Sequence, residues 1–377
     1  MSMSAQAYTL ERSVALSAVT RASSLTSRVF ASLVSKSDPS SASVTKSDAS
    51  PVTVGDYAAQ AVVNIVLGAY FPDDPIVGEE DAAHLRKPES ETLKRQVVQL
   101  VNEALALEEK EVVAQQKKSW GDGPVSDEQV LAALDRGNHQ GGNKGRMWAL
   151  DPIDGTKGFL RGGQYAVCLG FLVDGEVQVG VMGCPNLPLD PKDGLPKEGD
   201  AASNSRSDLG VAFIAVRGQG ASQRSLSSSG KEQSISMRQF TSDGLKDASF
   251  CESVEAGHSS HGTNKRIAEL LGITKESVRM DSQAKYASVS RGDGDIYLRL
   301  PVGDGSYQEK IWDHASGSLL VHEAGGIVSD CRGKPLDFGQ GRTLKLNRGV
   351  IAAPKGVHAE VIRAVGKALE EEGRGHL

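Results

Sequence analysis

Trp148-Ala149-Leu150-Asp151-Pro152-Ile153-Asp154-Gly155-Thr156-Lys157-Gly158-Phe159 is the stretch around which the rest of the chain is organised. Its apolar beginning, Met147 to Leu150, predicts a short buried strand. Two carboxylates, Asp151 and Asp154, follow it and bracket a proline and an isoleucine. Carboxylate oxygens suit a hard divalent cation, and backbone amides at a helix start suit a phosphate. The stretch therefore predicts a metal and a phosphate bound at one point.

The length and net charge of the chain limit its domain number and the classes of partner it can bind. Its 377 residues suggest two domains or one large domain of two halves. The formal net charge of −6, with no concentrated basic segment, argues against a nucleic-acid partner. No apolar run approaches the length of a membrane span, so we expect no membrane partner. A phosphorylated substrate would then need a local positive centre, which metal ions can supply.

The four cysteines (Cys168, Cys184, Cys251 and Cys331) are far apart and show no zinc spacing. They predict reduced core thiols in a cytoplasmic protein. The first 30 residues are rich in Ser and Ala with three arginines, which leaves organelle targeting as the alternative. Their apolar residues recur every three or four positions, however, which favours an ordinary amphipathic first helix. These positions are Leu10, Val14, Ala18, Ala22, Leu25 and Val29.

Hydrophobic periodicity predicts the remaining elements. The second half reads as an alternating α/β arrangement. Predicted helices cover 7–35, a segment from 56 onward, 89–119, 127–135, 263–271, a segment opening at 311, and 359–371. Predicted strands cover 76–78, 165–173, 177–183, 209–216, 249–252, 295–300 and 349–353.

Acids placed at the ends of these elements form a candidate metal site. They are Asp56, Glu79, Asp151, Asp154 and Asp313. Magnesium prefers oxygen ligands and keeps water molecules for a substrate. Each acid also has an ordinary interpretation: Asp56 as a helix N-cap, and Glu79 as part of a solvated acidic loop, 79–81. The spacing alone leaves both interpretations open.

Residues of the central stretch supplement the acids. Asp151 can bridge two ions, and the Ile153 carbonyl can act as a neutral ligand. The amides of Gly155 and Thr156, at the start of the next helix, can bind a phosphate oxygen. The Thr156 hydroxyl can hold an attacking water if Asp56 takes its proton. This set predicts phosphate-ester hydrolysis.

Three motifs in the same order resemble the lithium-sensitive, magnesium-dependent phosphomonoesterases, a superfamily that includes inositol monophosphatase and fructose-1,6-bisphosphatase. They are Asp151-Pro-Ile-Asp-Gly-Thr156, Gly78-Glu-Glu80 upstream, and Trp312-Asp-x-Ala315-x-Gly317 downstream. Within that superfamily, the chain is similar to the 3'(2'),5'-bisphosphate nucleotidases of fungal and plant type from about residue 10 to 355. The likeness is weak in 83–135 and 187–235. The segments that carry it are 50–60, 151–161, 183–186, 257–261, 281–286 and 307–314.

The resemblance implies the fold, an αβαβα layered sandwich that combines α+β and α/β parts. It places an α+β half with most metal ligands at 1–160 and an α/β half with the nucleotide contacts at 161–377. It implies two or three Mg²⁺ ions, bound by Glu79, Asp151, Ile153, Asp154 and Asp313. Asp56 and Thr156 would be catalytic. The substrate would contact Gly155, Thr156, His258, Ser282, Lys285, Arg299 and Asp313.

The implied reaction removes the 3'-phosphate of adenosine 3',5'-bisphosphate, a by-product of sulfate assimilation, to give AMP. Its sulfated relative, 3'-phosphoadenylyl sulfate, would be a second substrate. The resemblance also implies inhibition by Li⁺, with Na⁺ left open, and we expect a monomer. Two alternatives remain: a phosphatase for inositol polyphosphates or sugar bisphosphates, against which His258 and segment 281–286 argue, and a non-catalytic nucleotide sensor. A sensor would normally lack a metal ligand or Thr156, and this chain lacks neither.

Overall fold

The strand in the central stretch, β4 (Arg146–Asp154), is longer than predicted, because it continues past Leu150 through both carboxylates. It pairs in parallel with β3 (Ile76–Gly78) and antiparallel with β5 (Ala166–Val173). The β5 pairing becomes irregular between Asp151 and Asp154, where Pro152 has no N–H to donate. Such an irregularity redirects side chains at the end of a strand, so both carboxylates lie at the edge of a regular ladder.

A computed structural model describes residues 7–34, 43–45, 51–107, 120, 123–191, 195, 208–227, 231–254 and 261–377. The N-terminal elements are α1 (Thr9–Val34), β1 (Ser43–Thr45), β2 (Pro51–Thr53), α2 (Val54–Tyr70), β3, α3 (Glu91–Leu105), α4 (Asp127–Asp135), β4, α5 (Thr156–Arg161) and β5. The later ones are β6 (Glu176–Pro188), β7 (Leu209–Val216), β8 (Gly220–Ser225), β9 (Gln233–Ile235), β10 (Phe250–Glu252), α6 (His261–Leu271), β11 (Val278–Arg279), α7 (Ala284–Arg291), β12 (Ile296–Arg299), α8 (Ala315–Glu323), β13 (Gly326–Ser329), β14 (Val350–Pro354) and α9 (His358–Glu371).

Two larger sheets organise these elements. The first has seven strands in the order β3-β4-β5-β6-β7-β8-β9, antiparallel from β4 onward. The second has five strands in the order β11-β10-β12-β14-β13 and mixes parallel and antiparallel pairs. The first sheet includes strands on both sides of residue 160, and the predicted division of the chain there stays a prediction.

Apolar side chains form three packed layers between and outside the sheets. One core joins α1 and α2 to one face of the seven-stranded sheet. A second core places α7 and α8 between the two sheets, and a third joins α6 and α9 to the outer face of the five-stranded sheet. Helices and sheets therefore alternate as helix, sheet, helix, sheet, helix, because each amphipathic face is buried against the next layer.

Strand β12 shows how the layers follow from alternation. Tyr297 belongs to the core between the sheets, whereas Ile296 and Leu298 belong to the outer core. Successive side chains of a strand point to opposite faces. This alternation directs Tyr297 and Arg299 to the interior side, where the candidate site lies.

Several predicted boundaries were wrong. The helix predicted over 89–119 is α3, which ends at Leu105, and 108–119 lie outside the described residues. The helix predicted from Ile311 begins at Ala315, so Asp313 lies in the turn before α8. Helix α2 begins at Val54, which places Asp56 inside the first turn and not at the N-cap. Backbone hydrogen bonds set where a helix begins and ends, and the spacing of apolar residues does not predict them.

The first helix is confirmed as α1, and five of its six predicted apolar positions are buried. Leu10 is 46% exposed. The four cysteines are buried free thiols. None of the helices in the described ranges combines the length and apolarity that crossing a bilayer requires.

Candidate active site

One pocket gathers nearly all the predicted site residues. Its wall is built from the ends of β3, β4 and β12, from α5, and from the segments before α7 and α8. Of the predicted residues, Glu79, Asp151, Ile153, Asp154, Gly155, Thr156, Ser282, Lys285, Arg299 and Asp313 line it. Asp56 is not among the residues that line the pocket, and His258 lies outside the described residues.

Asp151 is a buried carboxylate in a group of other carboxylates. It is 2% exposed, and its Oδ1 has no hydrogen-bond partner among the described residues. Burial, followed by the carboxylates of Glu79, Asp154, Asp313 and Asp56, raises the pKa of Asp151 well above its usual range. A buried carboxylate next to other carboxylates is costly unless a cation neutralises it. The donor set therefore fits a hard divalent cation.

Asp154 is held by the backbone of the facing segment. Its Oδ2 accepts a hydrogen bond from the Gln283 N–H at 2.5 Å. Burial raises the pKa of Asp154 to about 6, although Lys285 and this hydrogen bond act in the opposite direction. The carboxylate thus has a fixed orientation beside a cationic side chain.

Glu79 and Asp313 reach the pocket from opposite parts of the chain. Glu79 is half-buried and follows β3 directly. The adjacent Glu80 is 3% exposed, so segment 79–81 is not simply a solvated acidic loop. Burial and the Asp154 carboxylate raise the pKa of Asp313 well above its usual range. Both acids therefore belong to one region of concentrated negative charge.

Thr156 begins α5 next to the same acids. Its hydroxyl donates to the Ile153 carbonyl at 3.2 Å. Asp56 is 2% exposed in the first turn of α2, and its carboxylate contributes to the raised pKa of Asp151. A hydroxyl that donates to a carbonyl still has lone pairs with which to accept from a water molecule.

Close packing explains the residue types around the start of α5. Gly155 caps the helix in the left-handed conformation, with φ at 89°. A Cβ on Gly155 would lie 2.8 Å from the Ser282 Cβ, so a larger residue would push the two segments apart. Ser282 itself has a φ of 65°, which is rare for a residue other than glycine and is concentrated at functional sites.

Cationic side chains also line the pocket. Lys285 is 4% exposed, donates to the Ser282 carbonyl at 2.8 Å and lies 5.4 Å from the Tyr297 ring centroid. Burial lowers the pKa of Lys285. The Nε of Arg299 pairs with Glu309 at 2.7 Å. Burial alone would raise the pKa of Glu309, but Arg299 and His314 together outweigh it and lower that pKa to about 2. The pocket thus places acids and cations side by side.

A second group of candidate ligands overlaps the first at Asp313. Atoms of Glu309, Asp313 and His314 lie within 4.8 Å of one another. Glu309 already pairs with Arg299, and the Nδ1 of His314 lies 2.8 Å from the Tyr286 hydroxyl. The Asp151 group differs from this one because it contains a buried carboxylate oxygen that has no hydrogen-bond partner among the described residues.

Six further pocket residues were not among the predicted site residues: Lys157, Gly158, Asp281, Gln283, Tyr297 and Tyr307. Tyr297 had a signal, because strand alternation places it on the same face as Arg299. Tyr307 lies at the start of a quoted motif and is 55% exposed, an unusual state for an aromatic side chain. Gln283 had no signal beyond its position inside segment 281–286.

The sequence matches the model of the inositol monophosphatase family over residues 9–370. The chain belongs to this family. It is similar to the 3'(2'),5'-bisphosphate nucleotidase of Emericella nidulans, with 50% identity over 96% of this chain and 99% of that protein. The nucleotidase of Schizosaccharomyces pombe is 49% identical over 97% of both chains, and the 3',5'-bisphosphate nucleotidase 2 of Arabidopsis thaliana is 42% identical over 97% of this chain and 98% of its own. The resemblance predicted from the motifs is confirmed.

Solved structures support the fold. The IMPase of Thermotoga maritima has a TM-score of 0.56 and 19% identity over 94% of this chain and 96% of its own. The inositol monophosphatase of Anabaena has a TM-score of 0.52 and 18% identity over 95% of both chains. The predicted layered sandwich is thereby confirmed as an inositol monophosphatase fold.

Proposed function

We propose that this protein is a Mg²⁺-dependent phosphomonoesterase that removes the 3'-phosphate of adenosine 3',5'-bisphosphate, giving AMP and phosphate. The observation that carries the proposal is one pocket that contains the carboxylates of Glu79, Asp151, Asp154 and Asp313 together with Lys285 and Arg299. The names of the full-length relatives support the choice of a nucleoside bisphosphate. The sulfated relative, 3'-phosphoadenylyl sulfate, is proposed as a second substrate.

The acids would hold the metal. The ligands are Glu79, Asp151, the Ile153 carbonyl, Asp154 and Asp313, all on the pocket wall. When bound, Mg²⁺ supplies an activated water molecule and stabilisation of the leaving oxygen.

Thr156 and Asp56 would handle the attacking water. Because the Thr156 hydroxyl donates to Ile153, its remaining lone pairs can accept one proton of the water and so orient it. Asp56, in the first turn of α2, would accept the other proton as general base. The Gly155 and Thr156 amides at the start of α5 would bind a phosphate oxygen.

The cationic side chains of the same pocket would select the nucleotide. Lys285 and Arg299 can balance the charge of the second phosphate through charge-assisted hydrogen bonds. A guanidinium has further N–H groups besides the Nε that Arg299 uses for Glu309. Ser282, His258 and Asp313 complete the proposed set of substrate contacts.

A substrate panel tests the proposal. Purified protein with Mg²⁺ should release phosphate much faster from adenosine 3',5'-bisphosphate than from inositol 1,4-bisphosphate or fructose 1,6-bisphosphate, and addition of Li⁺ should slow the release. If inositol 1,4-bisphosphate is hydrolysed faster, the proposed nucleotidase activity is wrong and the protein is an inositol polyphosphate phosphatase. Nucleotide binding without hydrolysis would favour a sensor.

A further inference from the structure

Glu79 and Asp313 need an external support to stay in place. Glu79 follows β3, a three-residue strand at the edge of the seven-stranded sheet, which pairs with β4 on one side and forms a single bridge from Val77 to Asn138 on the other. Asp313 lies in a turn ahead of α8. Carboxylates placed together repel one another. Other contacts must fix the distance between the two segments.

Arg342 makes such contacts with the segment that carries Glu79. Its Nη2 donates to the Gly78 carbonyl at 2.5 Å, directly before Glu79. Its Nη1 donates to the carbonyls of Gly137 at 3.1 Å and His139 at 2.9 Å. The Gly78 N–H in turn donates to the Gly137 carbonyl at 2.8 Å. One guanidinium therefore joins the end of β3 to the neighbouring loop.

The same residue is fixed to the segment that carries Asp313. The Arg342 carbonyl accepts from Ile311 at 3.1 Å, and Leu344 donates to the Glu309 carbonyl at 2.8 Å, so 342–344 pair with 309–311. The guanidinium carbon lies 4.7 Å from the centroid of the Trp312 ring, next to Asp313. Stacking of a planar cation on an indole is favourable and directional.

Gln283 holds the same turn from the other side. Its Nε2 donates to the Trp312 carbonyl at 2.9 Å, while its backbone N–H donates to Asp154. Asp313 is thus fixed to Asp154 through Gln283, and Glu79 is fixed to Asp313 through Arg342. Removal of the Arg342 side chain would leave the link between Asp313 and Asp154 through Gln283. It would remove the guanidinium contacts that link Glu79 to Asp313.

We propose that Arg342 is a positioning residue that sets the separation of the Glu79 and Asp313 carboxylates across the pocket. The inference rests on the proposed function only in assigning these acids to Mg²⁺. The side chain acts through the backbone carbonyls of one segment and the Trp312 ring of the other, and it touches neither substrate nor metal. Mutation of residues that orient metal ligands typically costs about 10–100-fold in metal affinity.

Variants at Arg342 and Arg136 test the proposal. Arg136 is a matched control, because its guanidinium also donates to several carbonyls, but at the other end of β3, including that of Asp74 at 3.3 Å. Arg342→Ala should weaken Mg²⁺ binding, measured by titration calorimetry without substrate, by about tenfold or more. Arg342→Lys should fall between the wild type and the alanine variant, since an ammonium can reach fewer carbonyls and stacks less well.

The control separates positioning from general stability. Arg136→Ala should lower the urea midpoint as Arg342→Ala does, and it should leave the Mg²⁺ dissociation constant unchanged. At saturating Mg²⁺, the KM of Arg342→Ala for adenosine 3',5'-bisphosphate should stay near the wild-type value. Unchanged Mg²⁺ affinity in folded Arg342→Ala and Arg342→Lys would overturn the proposal. Failure of the wild type to hydrolyse the nucleotide would reject the proposed function and would leave the calorimetric result valid.

Discussion

At the scale of single residues, Asp151 combines burial with four neighbouring carboxylates, which raise its pKa. The arrangement is unfavourable for the protein alone and favourable for a cation, so binding and stability should oppose each other here.

Asp151→Asn tests that opposition. Turnover of adenosine 3',5'-bisphosphate should fall by about 10²–10³-fold or more, as when a group that stabilises developing charge is removed. In Mg²⁺-free buffer the free energy of unfolding should rise by about 1–2 kcal/mol, because a buried negative charge disappears. Urea unfolding and phosphate release measure the two effects. Near wild-type turnover would remove Asp151 from the site.

His358 should make stability depend on pH. Its Nε2 lies 2.9 Å from the Ser329 hydroxyl, and burial, with a smaller effect of His322, lowers the pKa of His358 from 6.5 to about 4. Between these pH values the unfolded chain binds the proton and the folded chain does not. The free energy of unfolding is therefore unaffected by His358 above pH 6.5. It falls by up to about 3 kcal/mol as the pH drops from 6.5 toward 4.

His358→Gln should flatten that part of the profile, as measured by urea unfolding at a series of pH values. His376 is exposed, so His376→Gln serves as the control and should leave the profile as in the wild type. An equal slope in wild type and His358→Gln would exclude His358 as its source.

At the scale of elements, strand β6 lies between two helices and contacts each of them at a glycine: α8 at Gly180 and α1 at Gly183. A Cβ on Gly180 would lie 2.8 Å from the Ser316 carbonyl oxygen, in the first turn of α8. A Cβ on Gly183 would instead overlap the Ser23 hydroxyl of α1, a side chain that can rotate away. The two glycines thus set the distance from the sheet to α8 and to α1.

Gly180→Ala should destabilise the fold by about 1–3 kcal/mol, because a backbone atom has to move. It should also weaken Mg²⁺ binding, since displacement of the start of α8 displaces Asp313. Gly183→Ala should lower stability less and leave Mg²⁺ affinity unchanged. Calorimetric titration and urea unfolding of both variants measure this. Equal Mg²⁺ affinity in the two would contradict a link between α8 packing and the site.

At the scale of the whole molecule, Mg²⁺ should act as a clamp between segments distant in sequence. Because its proposed ligands assemble only in the folded chain, Mg²⁺ at about 100 times its dissociation constant should add about 2.7 kcal/mol to the free energy of unfolding. Chelation should remove this increment, and Asp151→Asn should lack it. A Tm that is independent of Mg²⁺ would argue against binding by this acid group.

The sequence anticipated much of the site, for a local reason. Asp151, Asp154, Gly155 and Thr156 lie close together in the chain, so strand and helix rules already place them at one point. Arg299 was predicted from the resemblance, and alternation along β12 agrees with its position, yet its pairing with Glu309 was not predicted. The N-cap interpretation of Asp56 and the predicted start of α8 were wrong, because capping and turns depend on contacts outside the segment.

The central stretch by itself determined the class of chemistry: a strand that delivers two carboxylates, a carbonyl and a helix start to one point. With the other motifs it also determined the family. Only the tertiary structure decided how Glu79 and Asp313 join that point. Arg342 and Gly78 are 264 positions apart, and their hydrogen bond exists only after the two sheets pack around the central helices. The local sequence pattern determines which groups are available. The distances between these groups depend on how the two sheets and their helices pack in the folded chain.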